Sequence, residues 1–197
     1  MKVNLPKTKF FCDLYWQRQR QNLIQSGVMN YRAHVRYHCG LNNVNSFLLG
    51  LNHVEFDMPK MIRETDIDFC CLKPTEQQMV LWRGVSCPKE NLPTYYYFKE
   101  SLNLKKGDTI RLPGYIFADS KEDTARIYAF SKLKKGIIYK INVPQGSHIS
   151  YDNHYVFPRN SKFICTDSHA VNDKTQSYQL ISLDYIKPNK YDNSLYL

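Results

Sequence analysis

The sequence predicts an α+β fold of one domain, with a helical N-terminal part over residues 1–80 and a β-rich core over residues 81–197. Three observations predict it. The 197 residues suit one domain, or one with a helical appendage. The first 80 residues carry apolar side chains at roughly helical recurrence, whereas beyond them prolines and glycines punctuate short β-rich runs. Those runs outnumber the helices that could connect parallel strands, so the core should be a largely antiparallel sheet or sandwich.

Each element follows from local chemistry. DLYWQRQRQNLIQSGV places Leu14, Tyr15, Leu23 and Ile24 on a helical stripe, and Ser26-Gly27 offers a stop. NVNSFLLGLNHV is a second short helix with Asn45 or Ser46 as cap, and MPKMIRETDIDFCCLKP is a third that Pro74 ends. TYYYFKESL, DTIRL, GYIF, GIIYKINV, HYVFP, KFIC and YQLISLDYI read as strands. One helix interrupts them, SKEDTARIYAFSKL, with Ser120 as N-cap and Asp123 in the capping-box position. The tail KPNKYDNSLYL reads as loose, or docked as an extended arm.

Composition narrows the partners only coarsely. With 27 basic against 18 acidic side chains the chain carries a net +9, which favours anionic partners without choosing among them. Six cysteines show no C-x-x-C pair and the histidines complete no zinc spacing, so free thiols in a reducing compartment, with no metal, are expected. No apolar stretch approaches the length of a membrane span, and MKVNLPKTKFF lacks a secretory apolar run. A cytosolic setting follows, not necessarily that of the cell that made the protein.

One stretch raises a chemical question. LWRGVS, residues 81–86, boxes Arg83 among apolar residues in a buried-strand pattern. A guanidinium there needs an anion: an internal carboxylate from the helical part, or a phosphate that arrives from outside. Tyr95-Tyr96-Tyr97-Phe98 could stack bases, but on a strand two would face inward and two outward. Arg111, Arg126 and Arg159 could reinforce a phosphate site, with surface solvation as the default for each.

The pieces VLWRGVS, LNLKKGDTIRLPGYIFADSKEDTARIYAF, KKGIIYKINVPQGSHIS and HYVFPRNSKFIC occur in an order that resembles the arginine-specific mono-ADP-ribosyltransferases. That family is marked by an Arg-Gly strand, a Gly-Asp turn, a Pro-Gly-Phe strand holding Ser-Thr-Ser, a helix of pattern A-x-x-F/Y, and an Ile-Asn-Val-Pro strand. A Glu-x-Glu loop then runs into Pro-Arg-x-Ser-x-Phe. The resemblance covers about residues 62–165, even DIDFCCLKP looking like the family's approach helix, and its collinearity is more specific than any single piece. It implies a mainly antiparallel, two-sheet ADP-ribosyltransferase-like core that binds NAD.

By that resemblance Arg83 keeps the arginine of the signature, Phe117-Ala118-Asp119 stand at Ser-Thr-Ser, and Asp152 and His154 stand at the two acidic positions of Glu-x-Glu. Transfer of ADP-ribose passes through an oxocarbenium-like state that a nearby carboxylate stabilises. Arg83 is then expected to hold the diphosphate or ribose region of NAD, and the backbone of Gly84 the nicotinamide carboxamide, where a missing side chain permits close approach. Asp119 is one candidate for the replacement carboxylate, with capping of the following helix as its alternative. Asp152 is the other, with an exposed turn position as its alternative. His154 either accepts a proton from the acceptor or bonds a ribose hydroxyl, or is a partly buried strand residue. Phe117 either stacks on nicotinamide or plugs the cleft.

The resemblance implies a monomeric transferase that modifies a macromolecular target, a host protein if the chain is a translocated effector or toxin with a virulence role. The alternatives are a catalytically inactive binding or inhibitory protein of the same frame, and a basic nucleic-acid binder, whose affinity would fall steeply with salt.

Overall fold

The structure is a computed structural model, which describes residues 72–131, 135–152, 154–172 and 176–188, together with Ile62, Asp66 and Phe69. The helical reading of residues 1–80 lies almost wholly outside these; Ile62, Asp66 and Phe69 themselves are helical. The tail KPNKYDNSLYL beyond Pro188 also lies outside them.

In chain order the described elements are β1 (Met79–Ser86), α1 (Pro93–Leu102), β2 (Thr109–Leu112), β3 (Ile116–Ala118), α2 (Glu122–Ala129), β4 (Lys135–Val143), β5 (Ser150–Asp152), β6 (His154–Phe157), β7 (Ser161–Asn172) and β8 (Ser177–Ile186). They form a five-stranded sheet in the order β1-β4-β8-β7-β2 and a three-stranded sheet in the order β3-β6-β5. The expected two-sheet α+β architecture is present. Pairing is antiparallel throughout except between β4 and β8, which run parallel, so the larger sheet is mixed.

The strand pattern shows how the layers stack. GIIYKINV is continuously apolar at its start because β4 lies inside the sheet and is covered on both faces. Ile137, Tyr139 and Ile141 face the main core, with Leu81, Phe157, Phe163, Ile181, Leu183 and Tyr185 between the two sheets. Ile138 faces the other way, toward Ala125 and Ala129 of α2. That helix rests on the sheet at Gly84 of β1 and Gly136 of β4, where a methyl group would overlap the helix backbone. Arg126 fastens it further, bonding Glu122 one turn back and the Tyr178 hydroxyl at 2.7 Å, with its guanidinium over the Tyr178 ring. It is therefore not the freely solvated arginine expected from the sequence; Arg111 is exposed.

Two local readings need correction. TYYYFKESL is the helix α1, not a strand. Pro93 opens it at the first turn, where its fixed φ suits a helix and its missing N–H is no loss. Only Phe98 of the four aromatics is buried, with Ser101 three residues on, while Tyr96 is 62% exposed; that is a helical face and not strand alternation. Secondly, Ser120 does not cap α2. The N-cap is Lys121, and the Asp119 side chain accepts the Lys121 N–H at 2.9 Å in its place.

Arg159 also departs from expectation. It is partly buried in an ion pair with the buried Asp66, at 2.8 Å, and Asp66 further accepts the Tyr115 hydroxyl at 2.9 Å. This network ties the helical residue Asp66 to the turn before β7 and to the start of β3. Gly107-Asp108 is the turn expected, with φ +95° at Gly107 and the Asp108 carboxylate accepting the Lys105 N–H. Among the described residues no helix is long and apolar enough to cross a membrane.

Candidate active-site cleft

The two sheets meet along the free edge of β1. Trp82 and Asp119 exchange both backbone hydrogen bonds, at 2.7 and 2.8 Å, so the residue after β3 is stitched to β1. In an antiparallel ladder, alternate residues turn their amide groups to opposite sides. Trp82 turns outward to Asp119, and Gly84, two residues on, turns its N–H and C=O out of the same edge. Directly beyond the stitch lies a cleft of about 250 Å³, walled by β1, the end of β3, α2 and the start of β6.

Arg83 enters this cleft from the core side. Alternation along β1 sends its side chain to the same face as Leu81 and Val85, between the sheets. Its Nη1 donates to the Phe117 carbonyl at 2.8 Å. Its Nε is buried and, among the described residues, has no hydrogen-bond partner. No described carboxylate pairs with it; Asp66 of the helical part is engaged by Arg159. The residue opposite in the ladder is Tyr139, itself buried. Burial draws the guanidinium's pKa below its ordinary value, and Tyr139 offsets part of that. Burial likewise pushes the Tyr139 hydroxyl up, with the Ser101 hydroxyl of α1 and Arg83 acting in the opposite sense. A buried donor left unsatisfied is costly, and such a group at a cleft wall is the arrangement expected where a ligand completes the bonding.

The remaining sequence-predicted residues fall as follows. Phe117, Asp119, Gly84 and His154 line the cleft together with Arg83. The β3–β6 register pairs Ala118 with Tyr155, and one further step sets Asp119 opposite His154. Their side chains meet there: His154 Nδ1 stands 3.3 Å from Asp119 Oδ2, while Asp119 Oδ1 holds the Lys121 N–H. Both readings of Asp119, helix approach and cleft carboxylate, are thus compatible with one position. Asp152 lies in β5 opposite His154, and its side chain is outside the described residues. Trp82, Thr124 and Tyr128 also line the cleft and were not singled out from the sequence. The i,i+4 spacing of Thr124 and Tyr128 on α2 was the available signal. Tyr128 stands edge-on to His154, ring centroids 6.5 Å apart. Among the described residues no group of His, Cys, Asp or Glu is arranged to hold a metal ion.

This two-sheet α+β fold is shared with solved bacterial ADP-ribosyltransferase toxins. Among solved structures, the chain resembles C3stau2 from S. aureus, solved with NAD, at TM-score 0.58 and 14% identity over 89% of this chain and 96% of that one. It resembles the Clostridium limosum C3 exoenzyme at 0.53 and 17% identity, covering 94% and 96% of the two chains. It also resembles the ADP-ribosyltransferase C3larvin of Paenibacillus larvae at 0.56 and 14%, covering 87% and 98%. Identities this low establish the shared fold. No protein-family model matches the sequence. No curated protein matches it either.

Proposed function

We propose that the chain is an NAD-dependent mono-ADP-ribosyltransferase with an altered active site, acting on a protein target, and that residues 81–197 form its NAD-binding core with residues 1–80 as a helical part of the same domain. The observation that carries this reading is the buried Arg83 Nε, which has no partner among the described residues, in an arginine that lines the inter-sheet cleft. An arginine offers fixed, charge-assisted donors to a diphosphate. The outward N–H and C=O of Gly84 suit a carboxamide, and Phe117 offers its ring to the nicotinamide. Asp119 supplies a carboxylate beside the reacting ribose, and Asp152 is the second candidate for that part. NAD when bound supplies the leaving group, nicotinamide; the chain's own residues hold and orient it and shield the cleft from water. One of the named neighbours is a toxin and another is solved with NAD, which supports an effector acting in a host cytosol.

Calorimetry and transfer of label from NAD test the reading together. Wild type is expected to bind NAD and to label a protein in a host-cell extract, and Arg83→Ala to do neither. No heat at millimolar NAD overturns it.

The second reading is an inactive binding protein. A cleft of about 250 Å³ is below the roughly 300–1,000 Å³ usual for ligand pockets, and Phe117 lines it. If that reading holds, wild type gives no heat with NAD and Phe117→Ser creates binding.

A further inference from the structure

Resting on the transferase reading, we propose that Asp119 and His154 form an acid–base pair that fits the site for a neutral hydroxyl acceptor and against a cationic guanidinium.

Four observations converge. His154 Nδ1 faces the Asp119 carboxylate, which favours the tautomer with the proton on Nδ1 and leaves Nε2 as the basic nitrogen. His154 lines the cleft, and its side chain is 36% exposed, so the ring is open to an incoming acceptor. Asp119 Oδ1 accepts the Lys121 N–H and Oδ2 faces His154, so an incoming guanidinium would have to compete with both for this carboxylate. It is also the one acid among the described residues lining the cleft, where Arg83 already contributes a positive charge, and the chain as a whole carries +9. A cationic acceptor meets repulsion there, and the carboxylate it would seek already faces two neighbours. A carboxylate behind a histidine is instead the arrangement that removes a proton from an uncharged hydroxyl.

The step balances as follows. The bond from ribose C1′ to the nicotinamide nitrogen breaks, its electron pair leaving with nicotinamide. The acceptor oxygen bonds to C1′, and its proton passes to His154 Nε2. The resulting imidazolium faces the Asp119 carboxylate. The contact of 3.3 Å in the free protein needs to shorten only slightly to become a hydrogen bond, as such contacts do on substrate binding.

The test supplies NAD with methanol or with agmatine as small acceptors, and quantifies nicotinamide release, the methyl glycoside of ADP-ribose and the agmatine adduct. Wild type is expected to form the methyl product in proportion to methanol and no agmatine adduct above background. His154→Gln should lower product formation about 100-fold or more with NAD affinity unchanged, and imidazole should restore rate to His154→Ala. Asp119→Asn should lower kcat with KM for NAD unchanged. Should Asp119→Asn fail to fold, the two His154 variants decide alone. Agmatine as the preferred acceptor, or full activity in His154→Gln, overturns the inference while leaving NAD binding and cleavage intact. Absence of NAD binding by wild type removes the transferase reading itself, and this inference with it.

Discussion

The α-carbon of Gly84 lies against the peptide of Ala125, with no room for a methyl group between strand β1 and helix α2. This contact explains the glycine after Arg83 without any ligand: it lets α2 settle on the sheet and form one wall of the cleft. Gly84→Ala should therefore destabilise the fold by about 1–3 kcal/mol through overpacking, and denaturant unfolding measures it. Gly136→Ala should do likewise, since its methyl group would meet Ala129. Two glycine sites of equal sensitivity, only one of them in the cleft, would show that the requirement is packing.

Arg83 should be dispensable for folding. Its Nε is buried without a partner among the described residues, so Arg83→Met removes an unsatisfied donor while giving up one bond to the Phe117 carbonyl. These effects oppose each other, and stability should change by less than about 1 kcal/mol. A large loss in thermal unfolding would mean that the arginine is structural.

The Arg159–Asp66 pair should behave in the opposite way. Asp66 is buried and Arg159 largely so, so Asp66→Ala leaves a poorly solvated charge without its partner and should cost about 3 kcal/mol. Arg159→Met combined with Asp66→Leu should recover most of that loss. Urea unfolding of the two single variants and the double variant measures the coupling.

Stability should fall in strong alkali. Burial pushes the Tyr185 hydroxyl up to about 12, against an ordinary 10.0. Between those values the unfolded chain has released a proton that the folded chain keeps, so its contribution is full below about pH 10 and is lost as pH rises toward about 12. The loss amounts to about 3 kcal/mol. Unfolding followed across this range, with Tyr185→Phe as the control that lacks this share, measures it.

Much of the core was legible in the sequence. GIIYKINV and YQLISLDYI are strands because β-branched and aromatic residues crowd them, and SKEDTARIYAF supplies the helix that precedes both. What misled was propensity in TYYYFKESL, where the aromatics suggested a strand and Pro93 and a single buried ring decided for a helix. Strand direction was not legible: nothing local says that β4 and β8 run parallel, because neighbours in a sheet are chosen by packing between segments far apart in the chain.

The candidate site divides in the same manner. By itself the amino-acid order determined that Arg83 stands in an apolar strand beside a glycine, and that Asp119 precedes a helix, because period and composition are local properties of the chain. Only the tertiary structure decided that Asp66 takes Arg159 and leaves Arg83 to the cleft, and that Asp119 meets His154. Those partners lie 93 and 35 residues apart, brought together by turn geometry and by the β3–β6 register, and a one-residue slip in that register would turn every side chain of the strand to the other face.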